Sequence, residues 1–199
     1  FSTLPHPVYP TDLAQRCNIL VTGIGGPGVV TIGALIGMAA HLEGKGVSVL
    51  YQTGLAQKGG AVTCHLRIAR SPADIHAVRI AAGEADLVLG CDMVVVNDYW
   101  ALSKIRAERS TVVLNTYEAM PGGFTMHPDM QFPAKGIPAA VRTALDGGEP
   151  MLVEATAIAG ALLGDAIATN LFMLGVAWQQ GLVPVSLDAL LRAIELNAA

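Results

Sequence analysis

Three glycines with the spacing of a dinucleotide-binding loop follow an apolar run near the start of the chain. The run CNILVTGIGGPGVV covers residues 17–30 and contains Gly23, Gly25 and Gly28 in a G-x-G-x-x-G pattern. Glycine permits a sharp turn from strand to helix, and a bare backbone lets a pyrophosphate approach the N–H groups at the helix N-terminus. Pro27 suits the first turn of such a helix. The stretch therefore predicts a strand, a turn and a helix that could bind a phosphate group.

Binding of a nicotinamide dinucleotide needs an acidic residue at the end of the second strand, and this sequence has none there. An Asp or Glu at the end of the second strand, about 20 residues after the loop, would hydrogen-bond the ribose. Here that strand ends in Tyr51, Gln52 and Thr53, and Glu43 comes too early, at the end of the helix. The loop could bind a phosphate-bearing ligand other than NAD, and two further interpretations stay open. One is an NAD-binding domain, which the missing acid disfavours, and the other is a structural interaction domain whose glycines bind no ligand.

A second glycine-rich loop favours a phosphate ligand. The stretch TGLAQKGGAV, residues 53–62, follows the second strand and places Lys58 next to Gly59 and Gly60. In an open α/β sheet this loop lies at the same carboxyl edge as the first. The two loops could therefore offer an ammonium group and bare amides to one phosphate.

Polar residues after two later strands are predicted to reach the same edge. Gly90 and Asp92 follow one buried strand, and Asn115 and Thr116 follow the next. Ligands of open α/β sheets bind outside the carboxyl ends of the strands. We therefore count Asn115 among the candidate cofactor-binding residues.

The sequence contains no recognisable catalytic or metal-binding motif. A GxSxG elbow, an HExxH motif and a Walker A lysine are absent. The cysteines Cys17, Cys64 and Cys91 are too widely spaced for a disulfide framework, a zinc site or a cluster, which suits a reducing cytoplasm. Cys64 and His65 are neighbours on a strand and so point to opposite faces. We assign no catalytic residue and no metal ligand.

Composition restricts the class of protein. Of the 199 residues, 52% are hydrophobic and only 14% are charged, and the net charge is −4. Basic residues are scattered, which argues against nucleic-acid binding, and the low charge indicates that another chain or domain covers part of the surface. We predict one domain over residues 17–199. The lead-in over residues 1–16 has no secretory signal and suggests a chain cut from a longer polypeptide.

The most apolar stretch, residues 155–178, is predicted to form two buried helices rather than a membrane span. Asp165 and Asn170 lie near its middle, and a central Asp costs about 2.5 to 3.5 kcal/mol on membrane insertion. Asp165 would cap the second helix. Gly181 would end that helix, and Ser186 would cap a last one.

Strands and helices alternate along the rest of the chain. Apolar runs predict four strands and the helical segments between them: strands 18–23, 47–52, 85–90 and 111–115, a helix over 29–44 and a connection over 93–105. This order is typical of a three-layer α/β fold. We expect a Rossmann-like, mostly parallel sheet with helices on both faces and a helical C-terminus.

One segment departs from this parallel pattern. In AVTCHLRIA, residues 61–69, the polar residues Thr63, His65 and Arg67 alternate with apolar ones. Such alternation is typical of a strand covered on one face only, so we expect a mixed sheet.

The order of these motifs resembles a known family. GIGGPGVVTIGALIGMAAHLEGKGVSV, then TGLAQKGGAV with CHLRIA, then ATNLFMLGVAWQQGLVP resemble the gamma-type domain of the 2-oxoacid:ferredoxin oxidoreductases, nearest to the indolepyruvate branch in its fused bacterial form. The resemblance runs from Asn18 to Asn197. It implies that both loops help bind coenzyme A, through Gly23, Gly25, Gly26, Gly28, Lys58, Gly59 and Gly60. Many members have Gln where this chain has Pro27.

The resemblance also implies what must lie outside this domain. The family decarboxylates a 2-oxoacid on thiamine diphosphate, passes electrons through 4Fe–4S clusters to ferredoxin and delivers the acyl group to coenzyme A. A thiamine site needs a GDG motif and a magnesium-binding Asn, whereas this chain has only Gly164-Asp165-Ala166, and runs of cysteines are absent. Both cofactors are therefore expected in partner domains or subunits of an oligomeric enzyme, with the isolated domain inactive.

Overall fold

The computed structural model describes residues 4–8, 16–54, 60–118 and 132–198. Its strands are, in chain order, β1 (Cys17–Ile24), β2 (Gly46–Thr53), β3 (Ala61–Ala69), β4 (Leu87–Gly90), β5 (Thr111–Asn115) and β6 (Met151–Val153). Its α-helices are α1 (Gly26–Leu42), α2 (Met93–Val96), α3 (Tyr99–Leu102), α4 (Gly136–Ala144), α5 (Ala155–Leu163), α6 (Thr169–Gln179) and α7 (Leu187–Ala198). Short 3₁₀ turns occur at Pro72–Asp74 and Ala166–Ala168.

The strands form one mixed sheet in the order β2-β3-β1-β4-β5-β6. The pairs from β1 through β4 and β5 to β6 are parallel, whereas β3 lies antiparallel between β1 and β2. After β1 the chain crosses toward β2, and after β4 it crosses in the other direction toward β5. The carboxyl ends of β1 and β4 therefore flank a topological switch point, where α/β sheets bind their ligands.

Two apolar cores cover the two faces of the sheet. On one face α1, α6 and α7 pack through residues such as Ile32, Leu174 and Leu190. On the other face α2, α3 and α4 pack through residues such as Met93 and Val141. This arrangement confirms the predicted three-layer, Rossmann-like fold, the mixed sheet and the helical C-terminus.

The prediction that β3 is covered on one face only is wrong. Every residue from Val62 to Ala69 is buried, including the polar ones. Arg67 is 2% exposed, its Nε donates a hydrogen bond to Asn18 Oδ1 at 3.1 Å, and its Nη2 lies 2.5 Å from the Glu84 carboxylate. The polar alternation of β3 therefore reflects a buried network of paired groups, because buried charges need partners.

The prediction for residues 155–178 is right about the helices and wrong about the burial of the first. α5 buries Ala155 and Ala159, but Leu162 and Leu163 are 71% and 68% exposed. Among the described residues, no helix has both the length and the apolar character that crossing a membrane requires.

The predicted end of the second helix at Gly181 and the cap of the last helix at Ser186 are confirmed, whereas Asp165 does not cap α6 itself, whose N-cap is Ala168. Asp165 Oδ1 accepts a hydrogen bond from the Ile167 N–H at 2.9 Å, and so caps the 3₁₀ turn that leads into α6. Gly181 follows α6 with a φ of 74°. Ser186 Oγ accepts from the Ala189 N–H at 3.2 Å, at the start of α7.

Candidate functional site

The two glycine loops meet at the carboxyl edge of the sheet. The Gly25 N–H donates a hydrogen bond to the Gly60 carbonyl at 3.0 Å, and Ile24 is paired with Ala61 at the end of the ladder between β1 and β3. Gly25 has a φ of 82°, which favours glycine. The two loops therefore lie at the same edge, as expected. Cofactor binding by Gly60 stays a prediction, and Lys58 and Gly59 lie outside the described residues.

The N-terminus of α1 faces this edge with no side-chain cap among the described residues. Gly25 is its N-cap, Gly26 is its first residue, and Pro27 lies in the first turn. The first N–H groups of a helix have no partner within the helix and attract anions. The loop can therefore offer backbone donors to a phosphate or carboxylate.

Two glycines of the first loop are also closely packed by neighbouring side chains. A Cβ at Gly23 would lie 2.6 Å from Val29 Cγ2, and a Cβ at Gly28 would lie 1.6 Å from Asn170 Nδ2. Both distances are too short for a real contact. The G-x-G-x-x-G pattern thus has a structural reason in this fold that does not depend on a ligand.

Asn170 is a site residue that our sequence analysis did not assign. It lies in the first turn of α6, and its side chain is packed on Gly28. Within the described residues no hydrogen bond involves its side-chain amide. The sequence held only an indirect signal, because Asn170 belongs to the ATNLFMLG motif of the family resemblance but is distant from the loops along the chain. Asn170 places a polar group at the edge of the first glycine loop.

Asp92 lies at the switch point, shortly after the end of β4. Its Oδ1 accepts hydrogen bonds from the Val94 N–H at 2.7 Å and the Val95 N–H at 2.9 Å, which caps α2. Its Oδ2 is buried with no described partner in good hydrogen-bond geometry, and so is Thr22 Oγ1. Burial raises the pKa of Asp92, while the amides of Val95, Val94 and Ile24 oppose that rise. Asp92 therefore fixes the start of α2 directly after β4.

Asn115 joins three elements at the same edge. Its Nδ2 donates to the Cys91 carbonyl at 3.0 Å and to Thr156 Oγ1 at 2.9 Å, and its Oδ1 faces the Thr156 N–H at 3.4 Å. These contacts tie β5 to the end of β4 and to α5. Both protons of its amide nitrogen are used within the fold, so a ligand would meet Asn115 through its carbonyl oxygen or not at all.

Two cavities open near this edge. The larger, about 360 Å³, lies beside Asn115 at the ends of β5 and β6 and includes two carboxylates, Glu118 and Glu154. The smaller, about 280 Å³, lies beside the second loop and includes Gln52, Asp98 and Trp100. The carboxylates of the larger cavity disfavour an anionic group there.

NAD-binding proteins have an Asp or Glu that binds the ribose at the end of the second strand. In this chain the residues at that position make hydrogen bonds within the fold. The Tyr51 hydroxyl donates to the Val30 carbonyl at 3.2 Å, and Gln52 Oε1 lies 3.1 Å from His65 Nε2. The last residues of β2, Tyr51 to Thr53, include no carboxylate. These contacts weigh further against the NAD alternative.

His65 is a buried structural residue. Its Nδ1 accepts from the Ile80 N–H at 3.1 Å, and its ring meets Trp100 edge to face at a centroid distance of 5.2 Å. Burial, helped by the positive charges of Lys104, Arg79 and Arg67, lowers the pKa of His65 to about 4. His65 is therefore neutral at physiological pH and turned away from Cys64, as expected for adjacent strand residues.

The described residues do not fit an iron–sulfur cluster. Cys64 and Cys91 are buried and Cys17 is partly buried, all as free thiols. Burial raises the pKa of Cys64 to about 12 and raises that of Cys91 further, whereas metal ligation needs the thiolate. Within the described ranges, no group of three His, Cys, Asp or Glu residues could hold a metal ion.

The fold and its loops define a doubly wound α/β domain with a glycine-rich loop at the switch point of its sheet. A family model for pyruvate ferredoxin/flavodoxin oxidoreductase matches residues 18–199. The chain therefore belongs to this family. Indolepyruvate oxidoreductase subunit IorB of Methanothermobacter thermautotrophicus is 29% identical to it over 180 residues, which are 90% of this chain and 87% of that subunit.

Two solved structures share the fold at 18% identity. Pyruvate oxidoreductase subunit PORC from Thermotoga maritima matches with a TM-score of 0.63 over 92% of this chain and 85% of that one. The 2-oxoglutarate:ferredoxin oxidoreductase from Magnetococcus marinus, solved with 2-oxoglutarate, coenzyme A and succinyl-CoA bound, matches with a TM-score of 0.66. That match covers 92% of this chain but only 27% of the Magnetococcus chain. The same fold therefore occurs both as a separate subunit and within a longer polypeptide.

Proposed function

We propose that this chain is the gamma-type part of a cytoplasmic 2-oxoacid:ferredoxin oxidoreductase and that its two glycine loops help bind coenzyme A. The observation that carries the proposal is the hydrogen bond from Gly25 to Gly60, which joins the two loops at the switch point of the sheet. Phosphate groups bind where bare amides and a helix N-terminus converge. The family membership supports the enzyme class, and the Magnetococcus enzyme is a relative in fold with coenzyme A bound.

In this proposal each part of the two loops has its own role. Amides of the first turn of α1, at Gly26 and Gly28, donate to phosphate oxygens, and the open space beside Gly25 lets the phosphate come close. Lys58 supplies a positive charge, and Gly59 and Gly60 leave the backbone of the second loop bare. The chain binds and orients coenzyme A and carries out no covalent step itself.

The proposed substrate is an aryl 2-oxoacid, indolepyruvate. The support is that archaeal relatives, which match 90% of this chain, are indolepyruvate oxidoreductase subunits. Thiamine diphosphate with Mg²⁺, bound in another domain or subunit, would supply the decarboxylation chemistry, and 4Fe–4S clusters elsewhere would pass electrons to ferredoxin. The side chains that select the 2-oxoacid would lie beside the thiamine, outside this chain.

A Lys58→Ala variant of the intact oxidoreductase tests the proposal. With indolepyruvate as substrate, we expect the apparent KM for coenzyme A to rise about tenfold or more, because a charge-assisted contact to a phosphate is lost. Reduction of the enzyme by indolepyruvate without coenzyme A should keep its wild-type rate. Steady-state and stopped-flow kinetics measure the two quantities.

Two companion variants make the result specific. Lys58→Arg keeps the charge and should restore most of the affinity for coenzyme A. Lys135→Ala removes an exposed lysine next to α4, on the other face of the sheet from α1, and should change neither quantity. An unchanged KM for coenzyme A in Lys58→Ala would overturn the role of Lys58.

A structural interaction domain is the second candidate. The observation that favours it is the tight packing of Gly23 on Val29 and of Gly28 on Asn170, which explains two of the glycines without a ligand. In that case substitutions in both loops would weaken assembly of the enzyme and leave the KM for coenzyme A unchanged.

A further inference from the structure

Five large apolar side chains are exposed together on the hairpin of α5 and α6. We call this the α5–α6 apolar surface, and its members are Ile158, Leu162, Leu163, Ile167 and Leu171, which are 37 to 85% exposed. Single exposed apolar residues are common on soluble proteins, whereas a contiguous group marks an interaction site.

The turn between the helices is built so that Ile167 projects into solvent. Gly164 ends α5 in the left-handed region with a φ of 73°, and its N–H donates to the Gly160 carbonyl at 2.9 Å. The Asp165 carboxylate then holds the Ile167 N–H at 2.9 Å, while the Ile167 side chain is 85% exposed. Ile167 is therefore exposed because it lies in a turn whose backbone is fixed by its own hydrogen bonds.

Charge separates this surface from the other exposed apolar face of the chain. Between residues 155 and 179 the only charged residue is Asp165. The exposed leucines of α7 instead alternate with charged residues, and Arg192 lies 2.8 Å from the carboxylate of Glu195. The α5–α6 apolar surface therefore suits a partner surface that is itself apolar and weakly charged.

The surface continues directly into the candidate site. Asn170, next to Leu171, packs on Gly28 of the first loop, and Thr156, near the start of α5, is bonded to Asn115. A molecule that covers the α5–α6 apolar surface therefore lies next to the edge where the two loops meet.

We propose that the α5–α6 apolar surface is the docking face for the domain or subunit that carries thiamine diphosphate, which meets it with an apolar, weakly charged surface. This rests on the proposed function, since coenzyme A held at the loops must reach the acyl group formed on the thiamine, and the partner that holds it must face this edge. Two observations support a partner of the same enzyme over a second copy of this chain. The archaeal relatives are named as subunits, and the Magnetococcus chain contains this fold as 27% of a longer polypeptide.

Cysteine labelling of the intact oxidoreductase tests the docking face. Leu162→Cys and Ile167→Cys place thiols on the surface, and Val78→Cys and Leu191→Cys place control thiols at positions 54% and 50% exposed elsewhere. Maleimide labelling, followed at each position by peptide mass spectrometry, should be slower by about tenfold or more at positions 162 and 167 than at the controls, because a covered thiol is inaccessible. Elution of each variant at the wild-type position in size-exclusion chromatography shows that it is assembled.

A short photo-cross-linker attached to the thiol of the Leu162→Cys variant identifies the occupant. Adducts with peptides of the thiamine-carrying domain or subunit are the expected result. Labelling at 162 and 167 as fast as at the controls, or adducts with a second copy of this chain, would overturn the proposal. Since neither readout uses coenzyme A, a failure of the coenzyme A hypothesis leaves this result interpretable by itself.

Discussion

Gly28 and Asn170 pack closely against each other at the first glycine loop. The Asn170 amide occupies the place of a Gly28 side chain, so a larger residue at position 28 would force the Asn170 side chain to move, with or without a phosphate. The same close approach brings a polar group to the N-terminus of α1. A glycine pattern in a sequence therefore indicates that the backbone lies close to a ligand or to another part of the chain. Only the structure shows that α6 is one such neighbour here.

At the scale of single residues, His65 should make stability depend on acid. Its pKa is about 4 in the folded chain and about 6.5 when unfolded, so protonation favours the unfolded state. The contribution of neutral His65 to the free energy of unfolding is fully present above about pH 6.5. It is lost as the pH falls toward 4, by roughly 2 to 3 kcal/mol. Urea unfolding of wild type and His65→Gln between pH 4 and 7.5 measures this as the difference between the two curves.

The exposed His76 supplies the control for that experiment. His76→Gln removes an exposed imidazole instead of the buried one, so it shows which changes come from losing any histidine. Parallel curves for wild type and His65→Gln would contradict the assignment. The comparison of variants is necessary because Asp92 also makes stability depend on pH. Burial raises the pKa of Asp92, so its effect on the free energy of unfolding is opposite in sign to that of His65 and is the same in wild type and variant.

At the scale of elements, burial was harder to predict than secondary structure. The apolar runs of β1, β2, β4 and β5 and the helical pattern of α1 identify those elements correctly. β6 has only three residues, too few for any periodicity, and α4 carries no capping side chain at its N-terminus. The burial of β3 depends on α3 and on the segment after β3, and the exposure of α5 depends on how it packs against α6.

The contact between α1 and α6 can be tested by a double-mutant cycle. Gly28→Ala should destabilise the chain by about 1 to 3 kcal/mol, because its Cβ collides with Asn170. In an Asn170→Ala background the same change should be nearly neutral, so the two substitutions should couple by about 1 kcal/mol or more. Urea unfolding of the four proteins gives the coupling free energy.

Gly175 offers a matched glycine within α6. A Cβ there meets no atom within 4 Å, so Gly175→Ala should be neutral or stabilising by up to about 1 kcal/mol. Additive effects of Gly28→Ala and Asn170→Ala would show that the two side chains do not compete for the same space.

At the scale of the whole molecule, the sequence alone predicted the fold class, the mixed sheet and the common edge of the two loops. It missed Asn170 and the α5–α6 apolar surface because both depend on how segments that are separate along the chain pack together. The roles of Lys58 and Gly59 stay predictions. The binding of a phosphate group by the two loops likewise stays a prediction, while the family membership is shown over residues 18–199.

The central claim is that the two loops bind coenzyme A, and amide hydrogen exchange of the intact oxidoreductase tests it most directly. Peptides covering residues 23–29 and 54–61 should exchange more slowly with saturating coenzyme A, because bound phosphate protects their N–H groups. NAD should cause no change. Unchanged exchange in both loops with coenzyme A, or protection by NAD instead, would contradict the account.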